Sequence, residues 1–567
     1  EELSLVDRMQ DALQGEMTRR QELLRSAGNF TNVTEYEKAR KGGRDDLAPL
    51  PALLIVCDEF SELLSAKPEF TELFVAIGRL GRSLQMHLLL SSQRLEEGRL
   101  RGLESHLSYR IGLRTFSAAE SRTVLGVPDA YTLPGIPGIG YLKPDTTTMI
   151  KFRAAYVSGQ PPQRRATKRK GAVNQSITLS PFTIDEVKAT ATTHEAVAAL
   201  PTDERDKRAT FDIAVEAMTG RGPAAHQVWL PPLEVPPTFD LLAPDLVVEP
   251  GRGLFSPGWR AAGELTIPLG VVDLPLEQRR ETLQVSLAGA GGNMAVVGGP
   301  RTGKSTLLRS AVTALALTQS PLEAQIFVLD FGGGTFAPFK DLAHVAGVAT
   351  RSEPDVVRRT IAEITSIVNA RELFFRANGV DSIETYRQRR AAGKLDDGYG
   401  DLFLVIDGWS TIRAEFEDLE SVITTLAGRG LTFGLHVLIG TGRWLDFRSQ
   451  MKDVLGTRLE LRLGDVMDSD IDRKVAVNVP VGRPGRGIVP TKHHMLTALP
   501  RIDGSGEAST LGEGVLDLIE TVNSAWDGPT APKLRLLPEH ITLEAIHEAA
   551  DTDSTQIWLG IDEASLS

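Results

Sequence analysis

The sequence predicts two tandem α/β domains, each a mostly parallel sheet with helices on both faces, joined by a linker with a helical segment. Three observations carry that prediction. Short apolar runs of strand length alternate with stretches of helical period. One of those runs enters a glycine-rich loop that opens a helix. An ordered set of polar and glycine residues around strand ends recurs further along the chain.

Composition sets the bounds. At about 150 residues per domain, 567 residues leave room for three or four domains. Apolar residues at 41% and charged residues at 24% are ordinary for globular protein. A net charge of -12 argues against a nucleic-acid binder, whose footprint is a basic face, though a local patch can sit inside an acidic average. Cys57 is the only cysteine, which excludes an intrachain disulfide and suits a reducing compartment. No apolar run approaches the roughly 20 residues of a membrane span, and no signal peptide is visible. The chain opens on EELSLVDR without Met and closes on DEASLS, and it reads as a piece of a longer polypeptide.

Taken in order, PALLIVCDEF and MHLLLSSQ (within 51–158) are strand-length runs with polar C-terminal ends, and PEFTELFVAIGRLGRS between them has a helical period. Continuous apolar strands alternating with helices predict a parallel sheet buried on both faces. Residues 159–182 are rich in Pro, Ser, Thr and basic residues and read as a linker, with the run Arg164–Lys170 as linker charge. Helical period returns over 183–222 from a Thr183 cap. VWLPPLEVPP (228–237) is proline-stiffened, either a strap that docks on a neighbouring module or a plain tether. From about residue 252 to about 500 a second α/β segment supplies the strand candidates NMAVVGG, QIFVLDFGG, LFLVIDG and HVLIGTG.

Gly298-Gly299-Pro300-Arg301-Thr302-Gly303-Lys304-Ser305-Thr306 fits G-x4-G-K-[ST], preceded by the strand NMAVV and followed by the helical LLRSAVTALAL. Such a loop wraps backbone N–H groups around phosphate oxygens at a helix N-terminus. Lys304 is expected on the β- and γ-phosphates and the Ser305 hydroxyl on Mg²⁺. Arg301 reads as loop charge. Asp407 ends the apolar run FLVID at a sheet rim, where ligands of open α/β sheets bind, and is expected to hold Mg²⁺ through water.

The repeat sharpens this. Asp58 and Asp407 are 349 residues apart, as are His87 and His436, and Arg94 and Arg443. Arg110/Arg458 and Arg114/Arg462 follow at 348, and Gly138/Gly485 and Gly140/Gly487 at 347. The chain therefore carries two copies of one unit, the first without its N-terminal half. IPLGVVDLP (267–275) and IWLGIDEAS (557–565) hint that a third copy starts at the end. In the first copy Asp58 is followed by Glu59, a candidate water-positioning carboxylate, and Gln93 stands where a γ-phosphate sensor would. At the same offset Glu59 maps to Gly408 and Gln93 to Gly442. The second copy is thus expected to bind ATP–Mg²⁺ and hydrolyse it slowly or not at all, unless an acid such as Glu415 or Glu417 substitutes.

LLIVCDEFSELL, GRLGRSLQMHLLLSSQRLEEGRLRG, LSYRIGLRTFSAAESRTVLG and GVPDAYTLPGIPGIGYLK resemble the FtsK/SpoIIIE branch of RecA-like P-loop NTPases, and within it the EccC family of type VII (ESX) secretion. VGGPRTGKST and VIDGWS are similar to that family's second module. The resemblance implies tandem RecA-like domains: 1–158 the C-terminal part of a first ATPase module, 159–250 a linker with a helical segment, 251–503 a whole second module, and 504–567 a segment leading to a third. It implies an ATPase with a hydrolytic first module and regulatory later ones, on the cytoplasmic side of a plasma-membrane complex. The implied partners are other membrane components of that complex, secreted helical heterodimers recognised through a third module, and further copies in a hexamer. Arg79 and Arg82 in GRLGRS are candidate arginine fingers in such an oligomer, or a solvated helix face. The competing reading is an FtsK-like translocase of double-stranded DNA; the acidic chain shows no basic reader domain to support it.

Overall fold

The computed structural model describes residues 2–93, 102–159, 208–536, 540–544 and 546. Arg94, the run Arg164–Lys170, the Thr183 cap and the 557–565 segment lie outside them. Of the helix expected over 183–222, the described part is Thr210–Met218. Contacts divide the chain into a first unit of residues 17–227 and a second of residues 1–16 with those from 228 onward. The expected first module began at residue 1. Residues 1–16 group instead with the second unit, because Arg8 pairs with the buried Asp273 and Gln278 donates to the Ala12 carbonyl at 3.0 Å.

In the first unit, strands β1 (Leu53–Cys57) and β2 (Met86–Leu90) pair in parallel, Cys57 opposite Leu90. Between them, Phe70, Leu73, Phe74, Ile77 and Leu84 recur at helical spacing and form the buried stripe of helix Phe70–Leu84. Strands β3 (Arg110–Leu113), β4 (Ile139–Lys143) and β5 (Ile150–Arg153) make a separate antiparallel sheet. Among the described residues of this unit, one face of β1 and β2 carries no helix. Leu54, Val56 and Leu89 are exposed on one side of β1 and β2, and Ile111 and Leu113 on β3 are exposed as well. Their repeat counterparts Phe403, Val405, Leu438, Leu459 and Leu461 are fully or almost fully buried, in one cluster with Leu307, Leu308, Ala311 and Val312 of the helix that follows the glycine-rich loop. No helix among the described residues of the first unit takes that place, so the same apolar pattern meets solvent.

The second unit opens with a short hairpin, β6 (Val247–Glu249) and β7 (Gly253–Phe255). Its large sheet uses β8 (Thr266–Leu274), β9 (Arg279–Ser286), β10 (Met294–Val297), β11 (Ala324–Asp330), β12 (Val345–Thr350), β13 (Asp401–Asp407), β14 (Leu435–Thr441), β15 (Thr457–Leu461), β16 (Arg486–Ile488) and β17 (His494–Thr497). The order is β12-β11-β13-β14-β10-β15-β16-β17-β8-β9. Pairings from β12 to β15 are parallel; the four from β15 onward are antiparallel. The sheet is therefore more mixed than the apolar runs alone predicted, because the parallel signal is confined to strands such as β13 that are buried at every position. Helix Lys304–Ala316 packs on one face, and helices Pro354–Ala377 and Glu417–Gly430 on the other. Register brings Asp330, Asp407 and Gly440 level at one rim, with Thr441 opposite Val297, the residue that enters the loop.

Candidate functional site

The loop 298–306 leaves β10 and opens helix Lys304–Ala316. Its first two amides are spent on the sheet: Gly298 N donates to Thr441 O at 3.1 Å and Gly299 N to Arg462 O at 2.8 Å. Lys304 Nζ and Thr302 Oγ1 both donate to the Gly299 carbonyl, at 2.7 and 2.8 Å. The ammonium is thus parked across the loop, a position it can leave for a phosphate oxygen. Burial pulls the Lys304 pKa down, and Asp407 pulls it back up. Arg301 has a left-handed backbone, φ 57°, and an exposed side chain, as expected of loop charge.

Asp407 closes the site from β13. Its carboxylate is buried, and Ser305 is among the groups that favour its charged form. Burial raises its pKa, Asp330 adds to that, and Ser305, Lys304 and Arg309 oppose it. Its Oδ2 has no hydrogen-bond partner among the described residues. The space around it is tight, since a Cβ on Gly332 would overlap Oδ2. A buried carboxylate oxygen without a donor is costly unless a cation completes it. Ser305 and Asp407 therefore fit a divalent ion, and Lys304 with the loop amides fits a phosphate chain. Site residues that the sequence reading missed sit beside them. Asp330 takes Gly332 N on Oδ1 at 3.0 Å and Phe336 N on Oδ2 at 2.8 Å, folding the triglycine turn against Asp407. Arg309 Nη2 donates to Thr306 Oγ1 at 3.3 Å. The signal for Asp330 was there: QIFVLDFGG ends in Asp-x-Gly after an apolar run, as FLVIDG ends in Asp-Gly.

In the first unit, Asp58, Glu59 and Gln93 come together at the ends of β1 and β2. Ser91 Oγ donates to Asp58 Oδ1 at 2.5 Å, and Glu59 N to the same oxygen at 3.1 Å. Gln93 N reaches Glu59 Oε2 at 3.4 Å and Ser92 Oγ reaches it at 3.5 Å. Arg79 and Arg82 are exposed on helix Phe70–Leu84.

The second unit differs at each counterpart. Gly408 caps helix Trp409–Glu415 with no side chain, at φ 107°. Gly442 offers none either, and Thr441 Oγ1 is tied to Asp446 Oδ2 at 2.5 Å. Glu415 pairs with Arg351, and the exposed Glu417 lies 3.7 Å from Arg448.

Residues 260–503 match the model of the FtsK/SpoIIIE family. The whole chain is 52% identical to the ESX secretion system protein EccC of Thermomonospora curvata, covering 43% of that protein. It is 47% identical over 99% of its length to the ESX-4 secretion system protein EccC4 of Mycobacterium tuberculosis, again 43% of the relative. The solved cytoplasmic domain of the Thermomonospora curvata type VII secretion ATPase EccC matches the entire chain and 61% of its own, with TM-score 0.86 at 51% identity. A second solved structure, EccC ATPases 2 and 3 of the same organism with a signal sequence peptide, matches 60% of the chain and 61% of its own, with TM-score 0.57 at 49% identity. The chain spans less than half the length of these curated relatives.

Proposed function

The chain belongs to the EccC group of the FtsK/SpoIIIE ATPases, and on that footing we propose that it is the central part of a type VII secretion motor whose second unit holds ATP–Mg²⁺ with little or no hydrolysis. The carrying observation is the contrast between two rims of one repeated unit. The second keeps Lys304, Ser305 and Asp407 but has Gly408 and Gly442 where the first has Glu59 and Gln93. In the second unit the loop amides and Lys304 bind the phosphates. Ser305 and Asp407 hold the ion, which supplies charge neutralisation on the phosphate oxygens. Nothing at position 408 orients a water or takes its proton. In the first unit Asp58 takes the metal role, Glu59 positions water and Gln93 senses the γ-phosphate. Arg79 and Arg82 remain candidate fingers toward a neighbouring subunit.

The proposed setting is the cytoplasmic side of a membrane complex. No helix among the described residues is long and apolar enough to cross a membrane. Partners are other components of the secretion complex, further copies in a hexameric ring, and secreted helical heterodimers reached through a third module. DNA translocation is the weaker reading, because relatives at 52% and 47% identity are secretion proteins. The test is hydrolysis by the protein that includes the first module's own phosphate loop. Glu59→Gln should lower turnover by about 10²- to 10⁴-fold with ATP still bound at Lys304. Brisk turnover in that variant, dependent on Lys304, would overturn the assignment of roles.

A further inference from the structure

Asp407 Oδ2, the oxygen without a donor, is sealed from solvent. The group against it is Gly332, set so close that a Cβ there would overlap it. Neither an ion nor a water bound to one can meet that oxygen while Gly332 stays in place.

The turn that carries Gly332 runs between two fixed ends. At one end Phe331 N donates to the Asp407 carbonyl at 2.9 Å, and the Phe331 ring stacks on Phe416 with centroids 5.8 Å apart. At the other end Phe336 is fully buried, its ring 5.7 Å from that of Phe339. Gly332, Gly333 and Gly334 between them are exposed, and open space surrounds the Cβ positions of the last two. Gly333 and Gly334 have left-handed backbones, φ 103° and 82°. Glycine enters and leaves that region at no steric cost.

Asp330 holds the turn down. Its carboxylate is buried and takes Gly332 N on one oxygen and Phe336 N on the other. Both oxygens are engaged by the turn, which makes Asp330 a latch and leaves it no oxygen for an ion. The closed turn carries a cost. Asp407 Oδ2 and Thr335 Oγ1 are both buried in it without a partner among the described residues. Asp330 also faces Asp407 from the neighbouring strand, level in register and like in charge. Polar atoms buried without partners destabilise the state that buries them. An ion at Asp407 therefore favours an open turn over the closed one.

We propose that residues 332–334 are a lid on the second unit's ion site, latched by Asp330, and that the ion of a bound nucleotide opens it by displacing Gly332 from Asp407. This rests on the reading of Ser305 and Asp407 as the ion site. Asp330 is a positioning residue and acts on the ion only through the turn. A held ATP–Mg²⁺ thus changes the surface of the unit at 332–334 without any hydrolysis.

The test is hydrogen exchange of the stretch 331–336, read by mass spectrometry on the full chain without ligand, with ATP and a chelator, and with ATP–Mg²⁺. Titration calorimetry sets concentrations that fill the site. ATP–Mg²⁺ should speed exchange in this stretch by about tenfold or more over ATP alone. Asp330→Asn puts a donor in place of one acceptor; it should exchange fast in all three conditions and still bind ATP. Asp407→Asn should stay slow in all three. If Asp330→Asn does not fold, the wild-type chain and Asp407→Asn carry the comparison by themselves. Exchange that is the same or slower with the ion, while Asp407→Asn lowers the Mg²⁺ enhancement of ATP binding, overturns the inference alone. Wild-type exchange in a folded Asp330→Asn overturns the latch. Mg²⁺ enhancement undiminished in Asp407→Asn overturns the ion-site reading and the inference with it.

Discussion

Glu59 and Gly408 occupy the same place in the two units, each capping the helix after a strand-end aspartate, and both have left-handed backbones: φ 51° and ψ 42° for Glu59, φ 107° and ψ 60° for Gly408. A glutamate in that region is strained by roughly 1–3 kcal/mol and persists where its side chain is needed. The first unit carries the strain and keeps the carboxylate beside Gln93. The second has given up the carboxylate, and its backbone has moved to an angle only glycine adopts easily.

Gly408→Glu should therefore not be a simple exchange. The backbone would have to contract toward the Glu59 angles, and the new Cβ would stand 3.1 Å from Phe331 Cβ. A loss of about 1–3 kcal/mol in denaturant unfolding of the second unit is expected, with ATP affinity held within about threefold. Stability equal to wild type would show that the two caps are interchangeable and that the glycine reflects lost chemistry alone.

Separating metal from phosphate binding is the next expectation. Asp407→Asn keeps the shape beside Gly332 but removes the charge facing the ion. ATP should still bind while its Mg²⁺ enhancement falls by about tenfold or more, since a charged partner is worth roughly 1.5–3 kcal/mol. Lys304→Ala should abolish binding with and without Mg²⁺. Titrations with and without the ion distinguish the two patterns.

Much of this was legible in the sequence because it rests on local signals. The loop Gly298–Thr306 is a contiguous pattern, and β13 announces itself as seven apolar or strand-end residues buried throughout. The repeat offsets then exposed Gly408 and Gly442 without any structure. What was hidden depends on pairing between distant segments. The antiparallel half of the sheet is such a case, since β17 joins β8 across more than two hundred residues. So are the grouping of residues 1–16 with the second unit, through Arg8 and Asp273, and the hold of Arg462 on residues 476–479. The left-handed Glu59 could not be read either, because no sequence rule places glutamate there.

One pattern in two environments makes a paired prediction. Val56 and Val405 are repeat counterparts, the first 63% exposed and the second fully buried between β13's neighbours and the phosphate-loop helix. Val56→Thr should change the unfolding free energy of this chain by less than about 0.5 kcal/mol. Val405→Thr places a hydroxyl in an apolar core and should cost about 1–3 kcal/mol. Equal costs would mean that the β1 face is covered in solution.

The second unit should also lose stability on mild acidification, through the buried His344 and the half-buried His494. Complete burial pushes His344 down to about 4, with the Gln319 carbonyl 2.8 Å from Nε2 only partly countering it. Burial, with Arg486 adding to it, does the same to His494, also about 4. Among the described residues neither Nδ1 has a partner to share a second proton. The unfolded chain takes up these protons near pH 6.5, whereas the folded chain resists until about pH 4. Their cost is therefore absent above pH 6.5 and grows as pH falls to 4, at about 1.4 kcal/mol per unit for each ring. Asp401 works in a lower window. Burial opposes its ionisation, but His436 and Arg387 hold it at about 2, so its contribution is kept above pH 4 and drains only toward pH 2. Unfolding free energy measured from pH 7.5 to 4.5 should fall with a slope that His344→Gln makes about half as steep. A slope unchanged in that variant would show that His344 does not titrate between the two states.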